Sequence, residues 1–128
     1  MENVTASEPT ELDSILLIDD DEDQLYTFKA LLERTRLRVF VARSVSDART
    51  LLQEKKIRLV VCDVNLPRTN GREFIKEVRL AKEGLPIISF SADSEYPADE
   101  LLSCGASAFC DKSRSRELLR TVERYLSE

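Results

Sequence analysis

The chain has 128 residues, the size of one domain able to bury roughly two-thirds of its unfolded surface, and 38 of them are Leu, Ile, Val or Phe, too many for a disordered polymer. It contains no histidine, which excludes Ser-His-Asp and Cys-His catalysis, histidine-bound zinc and a phosphohistidine carrier, and Cys62, Cys104 and Cys110 have neither zinc-site spacing nor the even count of a disulfide framework. Most of the net charge of −5 lies in residues 1–13, where Glu2, Glu8, Glu11 and Asp13 leave the rest at −1: there is no basic footprint for nucleic acid, no membrane span or signal peptide is legible, and a cytoplasmic domain is expected.

Residues 1–13 read as a polar, disordered leader. From residue 14 a domain running to residue 128 is expected, in which an apolar run followed by an amphipathic stretch recurs five times. The runs are Ile15–Ile18, Val39–Ala42, Leu59–Cys62, Ile87–Phe90 and Ala106–Cys110. The first, third and fourth are continuous and rich in large aliphatic side chains, as strands buried on both faces should be. The second and fifth are weaker and fit positions nearer a sheet edge.

The stretches between them read as helices. Leu25, Phe28 and Leu31/Leu32 share one face, as do Val45, Ala48 and Leu51/Leu52 after the capping pattern Ser44-x-x-Asp47. Phe74, Ile75 and Val78 make a third stripe, and Leu101 and Leu102 a short fourth helix stopped by Gly105. Leu118, Val122 and Tyr125/Leu126 make the fifth, with Ser113 or Ser115 as its expected cap. Strand-helix alternation implies an α/β fold with a parallel sheet, right-handed crossovers and helices on both faces. Ligands of such sheets sit at the carboxyl ends of the strands.

Those ends carry a distinctive set. Asp19 to Asp23, all acidic, follow the first run, Asp63 the third, Ser91 the fourth and Lys112 the fifth. Helix capping accounts for Asp21, Glu22 and Asp23, but poorly for Asp19, which ends a buried strand directly. If Asp19, Asp20 and Asp63 meet, two such charges ~4.5 Å apart repel by roughly 3–4 kcal/mol at an effective dielectric of ~20. A hard divalent cation relieves that repulsion, and Mg2+ takes one or two carboxylates while keeping room for a phosphoryl oxygen. Lys112 adds a compact cation and Ser91 a small hydroxyl. Standing alone they would read as a surface lysine and a turn residue. Together the groups suit phosphoryl transfer to a carboxylate nucleophile.

With these residues the sequence closely resembles the receiver domain of two-component response regulators. The signatures are Ile15-Leu16-Leu17-Ile18-Asp19-Asp20, Asp63-Val64-Asn65-Leu66-Pro67 with Gly71, Ser91-Ala92, and Gly105-Ala106-Ser107-Ala108-Phe109 leading to Lys112. The resemblance spans residues 14–128. It implies a flavodoxin-like five-stranded parallel sheet with five helices and strand order 2-1-3-4-5. It implies Asp63 as phosphoacceptor and a Mg2+ or Mn2+ ion bound by Asp20, Asp63, the Asn65 carbonyl and, through water, Asp19. Lys112 would pair with the phosphoryl group, Ser91 would turn toward it, and Phe109 would follow by rotating inward, although a plain core aromatic is the other reading of Phe109. The output surface would be the fourth helix, fifth strand and fifth helix.

The implied partners are a histidine kinase or histidine phosphotransfer protein and a downstream protein target, without direct contact to nucleic acid or membrane. The chain would not be an enzyme beyond its own phosphotransfer and autodephosphorylation. Two alternatives stand beside this reading: a receiver-fold scaffold indifferent to phosphorylation, and a Mg2+-dependent small-molecule phosphatase. The phosphatase is disfavoured because Asn65 stands where such enzymes use a second acid. One departure from the family pattern is Ser113, where a proline following a cis bond is usual. A cis bond before a non-proline residue costs ~2.5–4 kcal/mol, so a trans Lys112–Ser113 bond and a relaxed loop are expected. Asn65 and Asp93, two residues after Asp63 and Ser91, stand at the positions that tune phosphoryl lifetime in the family.

Overall fold

A computed structural model describes residues 12–66, 71–91 and 98–127. The leader through residue 11, and Pro67, Ala92 and Asp93, lie outside them. The element order is β1 (Ser14–Ile18), α1 (Glu22–Glu33), β2 (Arg38–Ala42), α2 (Val45–Glu54), β3 (Leu59–Cys62), α3 (Gly71–Ala81), β4 (Ile87–Ser91), α4 (Ala98–Cys104), β5 (Ala108–Asp111) and α5 (Ser115–Leu126). The strands form one parallel sheet in the order β2-β1-β3-β4-β5. Among the described residues no helix is long and apolar enough to cross a membrane.

The pleat divides each central strand between two cores. Leu16, Ile18, Val60, Cys62 and Ile87 face α2, α3 and α4, and meet Ala48, Phe74, Ile75, Val78 and Leu101. Ile15, Leu17, Val61, Ile88 and Phe90 face α1 and α5, and meet Leu25, Leu32, Leu118 and Val122. Every residue of β3 and β4 is buried, which is why those runs are continuous rather than alternating in sequence. Burial of a side chain such as Phe74 or Leu16 contributes ~1.5–3 kcal/mol. Phe28 of α1 meets Phe90 of β4 edge-on, with centroids 4.7 Å apart. The weaker runs form the two edges, β2 and β5, as expected.

Two local expectations are corrected. The fifth strand begins at Ala108 rather than Ala106. Gly105 leaves α4 at φ 123°, and the Ala106 amide still donates to the Leu101 carbonyl at 3.2 Å, so the chain is completing a helix exit where the apolar run starts. Nor does a serine cap α5: its cap position is Arg114, with no side-chain cap bond. The Ser113 hydroxyl and amide both donate instead to Asp111 Oδ1, at 2.8 and 2.9 Å. That local turn satisfies Ser113 before the helix can use it. The described residues contain no cis peptide bond, so Lys112–Ser113 is trans. By contrast Ser44 caps α2 as read, accepting from the Asp47 amide at 3.1 Å.

Candidate functional site

The register of the central strands assembles the site. Ile18 pairs with Cys62, so the next residues, Asp19 and Asp63, stand side by side at the carboxyl edge. Backbone bonds extend past the strands to hold them: the Asp63 amide donates to the Ile18 carbonyl at 3.0 Å, and the Asp19 amide to the Ala42 carbonyl at 3.1 Å. Chain order reverses between β1 and β3, and ligands bind such sheets at that crevice. Asp19 is 2% and Asp63 6% exposed; Asp20 is more open to solvent.

Lys112, just beyond β5, reaches across to both carboxylates. Its Nζ donates to Asp19 Oδ2 at 2.6 Å, to Asp63 Oδ2 at 3.1 Å and to Gln24 Oε1 at 2.6 Å. Its amide donates to the Ser91 carbonyl at 3.2 Å, which fixes its backbone beside β4. Backbone amides hold the other oxygens, Asn65 N–H to Asp63 Oδ1 at 2.8 Å and Asp21 N–H to Asp19 Oδ1 at 3.0 Å. Burial raises the Asp63 carboxyl above the ordinary aspartate value; the Asn65 amide and Lys112 pull it down, while Asp19 adds to the rise. Burial tends to lower the Lys112 ammonium, but Asp19 and Asp63 outweigh it and the net shift is upward. Neighbouring Cys62, pushed far up by burial first and then by both carboxylates, stays a thiol at neutral pH.

Carboxylate oxygens of Asp19, Asp20 and Asp63 lie within 4.8 Å of one another. Three oxygen donors at that spacing, two of them buried, fit a hard divalent cation. The residues expected to meet therefore do: Asp19, Asp20, Asp63 and Lys112 share one site, with Asn65 at its rim. Ser91 ends β4, fully buried, and its hydroxyl has no partner among the described residues. Phe109 is partly buried on β5, against the core beneath α4.

Sequence reasoning missed one contributor, Gln24, and gave no physical reason for another, Gly71. Gln24 lies three residues after Asp21, the spacing of a capping box, but only half the box forms. Asp21 accepts from the Gln24 amide at 3.1 Å, while the Gln24 side chain turns to Lys112. Gly71 opens α3 directly against the backbone that follows β3. A Cβ there would lie 2.5 Å from Val64 Cα and 2.8 Å from the Asp63 carbonyl oxygen. Both are backbone atoms that cannot swing away, so Gly71→Ala is expected to displace the Asp63 loop. Overpacking of this kind costs ~1–3 kcal/mol. Thermal unfolding should show the loss; an unchanged melting temperature would contradict the contact.

Comparisons with known proteins bear on the family and the fold. Residues 15–123 match the family model described as response regulator receiver domain. The chain is 32% identical over 115 residues to the transcriptional regulatory protein ZraR of Salmonella typhimurium, a match covering 88% of this chain and 26% of that protein. It thus spans about a quarter of that relative's length. It is 33% identical over 115 residues to an uncharacterized 14.6 kDa protein of Leptolyngbya boryana, covering 87% of this chain and 88% of that one. A CheY-like receiver domain structure from Methanospirillum hungatei superposes with a TM-score of 0.81 at 25% identity, covering 91% of this chain and 95% of that one. A response regulator structure from Chloroflexus aurantiacus gives 0.84 at 24% identity, over 92% and 100% of the two chains, and speaks for the fold alone.

Proposed function

The chain belongs to the response regulator receiver domain family, and on that premise we propose that it is a phosphorylation-controlled signalling module. Residues 14–128 form the receiver, residues 1–13 a polar leader, and Asp63 is the phosphoacceptor. A histidine kinase or histidine phosphotransfer protein in the cytoplasm is the donor. The observation that carries this reading is Lys112 Nζ bonded to both Asp19 and Asp63 at the switch point of the sheet. It joins a nucleophilic carboxylate to a cation placed for the incoming phosphoryl oxygens.

In the transfer, an Asp63 oxygen forms a bond to phosphorus as the P–N bond of a phosphoimidazole breaks. Protonated at its other ring nitrogen, the imidazole leaves neutral with that electron pair, and the product is an acyl phosphate on Asp63. Asn65 N–H and Lys112 fix the two Asp63 oxygens beforehand, which removes orientational freedom from the step. Asp20 and Asp63, the Asn65 carbonyl and, through water, Asp19 would hold Mg2+ or Mn2+, which when bound neutralises the carboxylates and the transferring oxygens.

Phosphorylation adds about −1.5 to −2 charge and three strong acceptors. The buried Ser91 hydroxyl, without a partner among the described residues, then gains one, so the two states differ in a definite interaction. Phe109 turns inward as Ser91 moves, and the surface of α4, β5 and α5 passes the change to a protein target.

Incubation with radiolabelled acetyl phosphate and Mg2+ tests the proposal. Label released by hydroxylamine, as an acyl phosphate is and a serine phosphate is not, is the expected result. A folded chain that takes no label would favour the scaffold reading instead. Divalent binding has its own check. At ten times its dissociation constant, Mg2+ should stabilise the fold by about 1.4 kcal/mol, and Asp20→Asn should remove most of that gain in thermal unfolding. An equal gain in the variant would place the ion elsewhere.

A further inference from the structure

Directly beneath the site, one row of residues crosses the whole sheet. Ala42, Ile18, Cys62, Ser89 and Phe109 are successive Cα partners from edge to edge. Ala42, Ile18 and Cys62 belong to the core under α2, α3 and α4, and Phe109 packs against it. Ile87 belongs to that core too, so the period-two pleat puts Ser89 and Ser91 on the same face. Ser89 therefore lies beside Phe109 and below Ser91.

Ser89 is an odd occupant of that place. It is fully buried, and its hydroxyl has no partner among the described residues. A buried, unpaired hydroxyl is disfavoured against an apolar residue of similar shape, and every other residue of the row is apolar. Hydrogen bonding among the described residues does not account for it, which leaves its small size. Adjacent strands run about 4.8 Å apart, so a ring leaning inward from edge strand β5 passes over position 89. A branched side chain there would fill the space that the ring needs.

We propose that Ser89 is a positioning residue of the switch. Its small side chain keeps open a seat for the Phe109 ring next to Ser91, so that the ring moves when Ser91 engages the phosphoryl group. The inference rests on Asp63 as the acceptor, and it goes beyond that reading by naming what sets the travel of the ring. Space, not the hydroxyl, is the operative property: Ser89→Ala keeps the seat, Ser89→Val fills it, and Ser89→Thr fills it in part.

The experiment follows two NMR signals as beryllofluoride, a stable mimic of the acyl phosphate, is added with Mg2+. The Asn65 amide reports occupancy at Asp63, and the Phe109 ring reports the switch. In the native chain and in Ser89→Ala both signals should move. In Ser89→Val the Asn65 amide should still move while the Phe109 ring largely stays put, with Ser89→Thr between; the Thr variant decides the matter if Val does not fold. A native-sized ring shift in the enlarged variants, or a lost ring shift in Ser89→Ala, would overturn the role of space at this position. An enlarged variant whose Asn65 amide falls silent would overturn it too, because the effect would then lie in the acceptor site. A native chain whose Asn65 amide does not respond would overturn the acceptor reading, and this one with it.

Discussion

Asp63→Asn is expected to abolish phosphoryl incorporation and, at pH 7 without divalent ions, to yield a more heat-stable domain. On the proposed reading the first effect follows from removing the nucleophilic oxygen; the second follows from burial of the Asp63 carboxylate. The carboxyl sits above its ordinary value in the folded state, burial being the leading cause. A raised carboxyl binds its proton more tightly folded than unfolded, so the fold loses stability as pH rises from the ordinary value of 3.8 through the folded one. Asparagine keeps the shape and an oxygen for the Asn65 amide, and brings no charge into the pocket. Lys112 keeps Asp19 and Gln24 as partners. The stability difference should therefore be present at pH 7 and vanish below about pH 3.8, where the native carboxyl is also neutral. Mg2+ should narrow or reverse it, because the native chain alone has the third carboxylate. A variant that melts below the native chain at pH 7 would show that the Lys112 contact outweighs burial.

The second large effect is expected from Lys112→Met. The ammonium is the only cation bonded to Asp19 and Asp63 among the described residues, and its side chain is 9% exposed. Removing one partner from a buried charge group costs about 3–5 kcal/mol, because the remaining charges stay behind unpaired. For a chain of this size that lowers the melting temperature by on the order of 10 °C. The loss should shrink in Mg2+, which replaces the missing positive charge, and on acidification, which neutralises the carboxylates. Lys112 is itself raised above its ordinary value of 10.5 by the carboxylates. In the native chain its contribution is thus complete from about pH 10.5 down to the range where the carboxylates take up protons, and is lost as pH rises through the higher folded value. A loss indifferent to both Mg2+ and pH would mean that the lysine stem matters for packing rather than its charge.

The architecture was legible because five apolar runs at regular spacing leave few alternatives to a parallel sheet. Even the contrast between Leu59–Cys62 and the weaker Val39–Ala42 carried the distinction between centre and edge. The site was legible to the same extent, since residues that directly follow strands must share one edge. What escaped depends on approaches that no local pattern encodes. Gln24 looks like half a capping box, and only the fold brings Lys112 to it. Gly71 belongs to a motif, but its reason is a 2.5 Å approach to Val64 Cα. Ser113, one of the two serines expected to cap α5, is held instead by Asp111, two residues back. Ser89 drew no notice in the run Ile87–Phe90, because a serine in a strand is unremarkable until its neighbours and its missing partner are known.

On the proposed reading Asp63, among the three clustered carboxylates, takes the phosphoryl group. Borohydride reduction of the acetyl phosphate-treated chain tests it most directly, because an acyl phosphate is reduced to an alcohol and marks its own position as homoserine. Peptide mass mapping should find homoserine at residue 63 only, and only when Mg2+ was present. Homoserine at Asp19 or Asp20, or none in a chain that is folded and binds Mg2+, would contradict the claim.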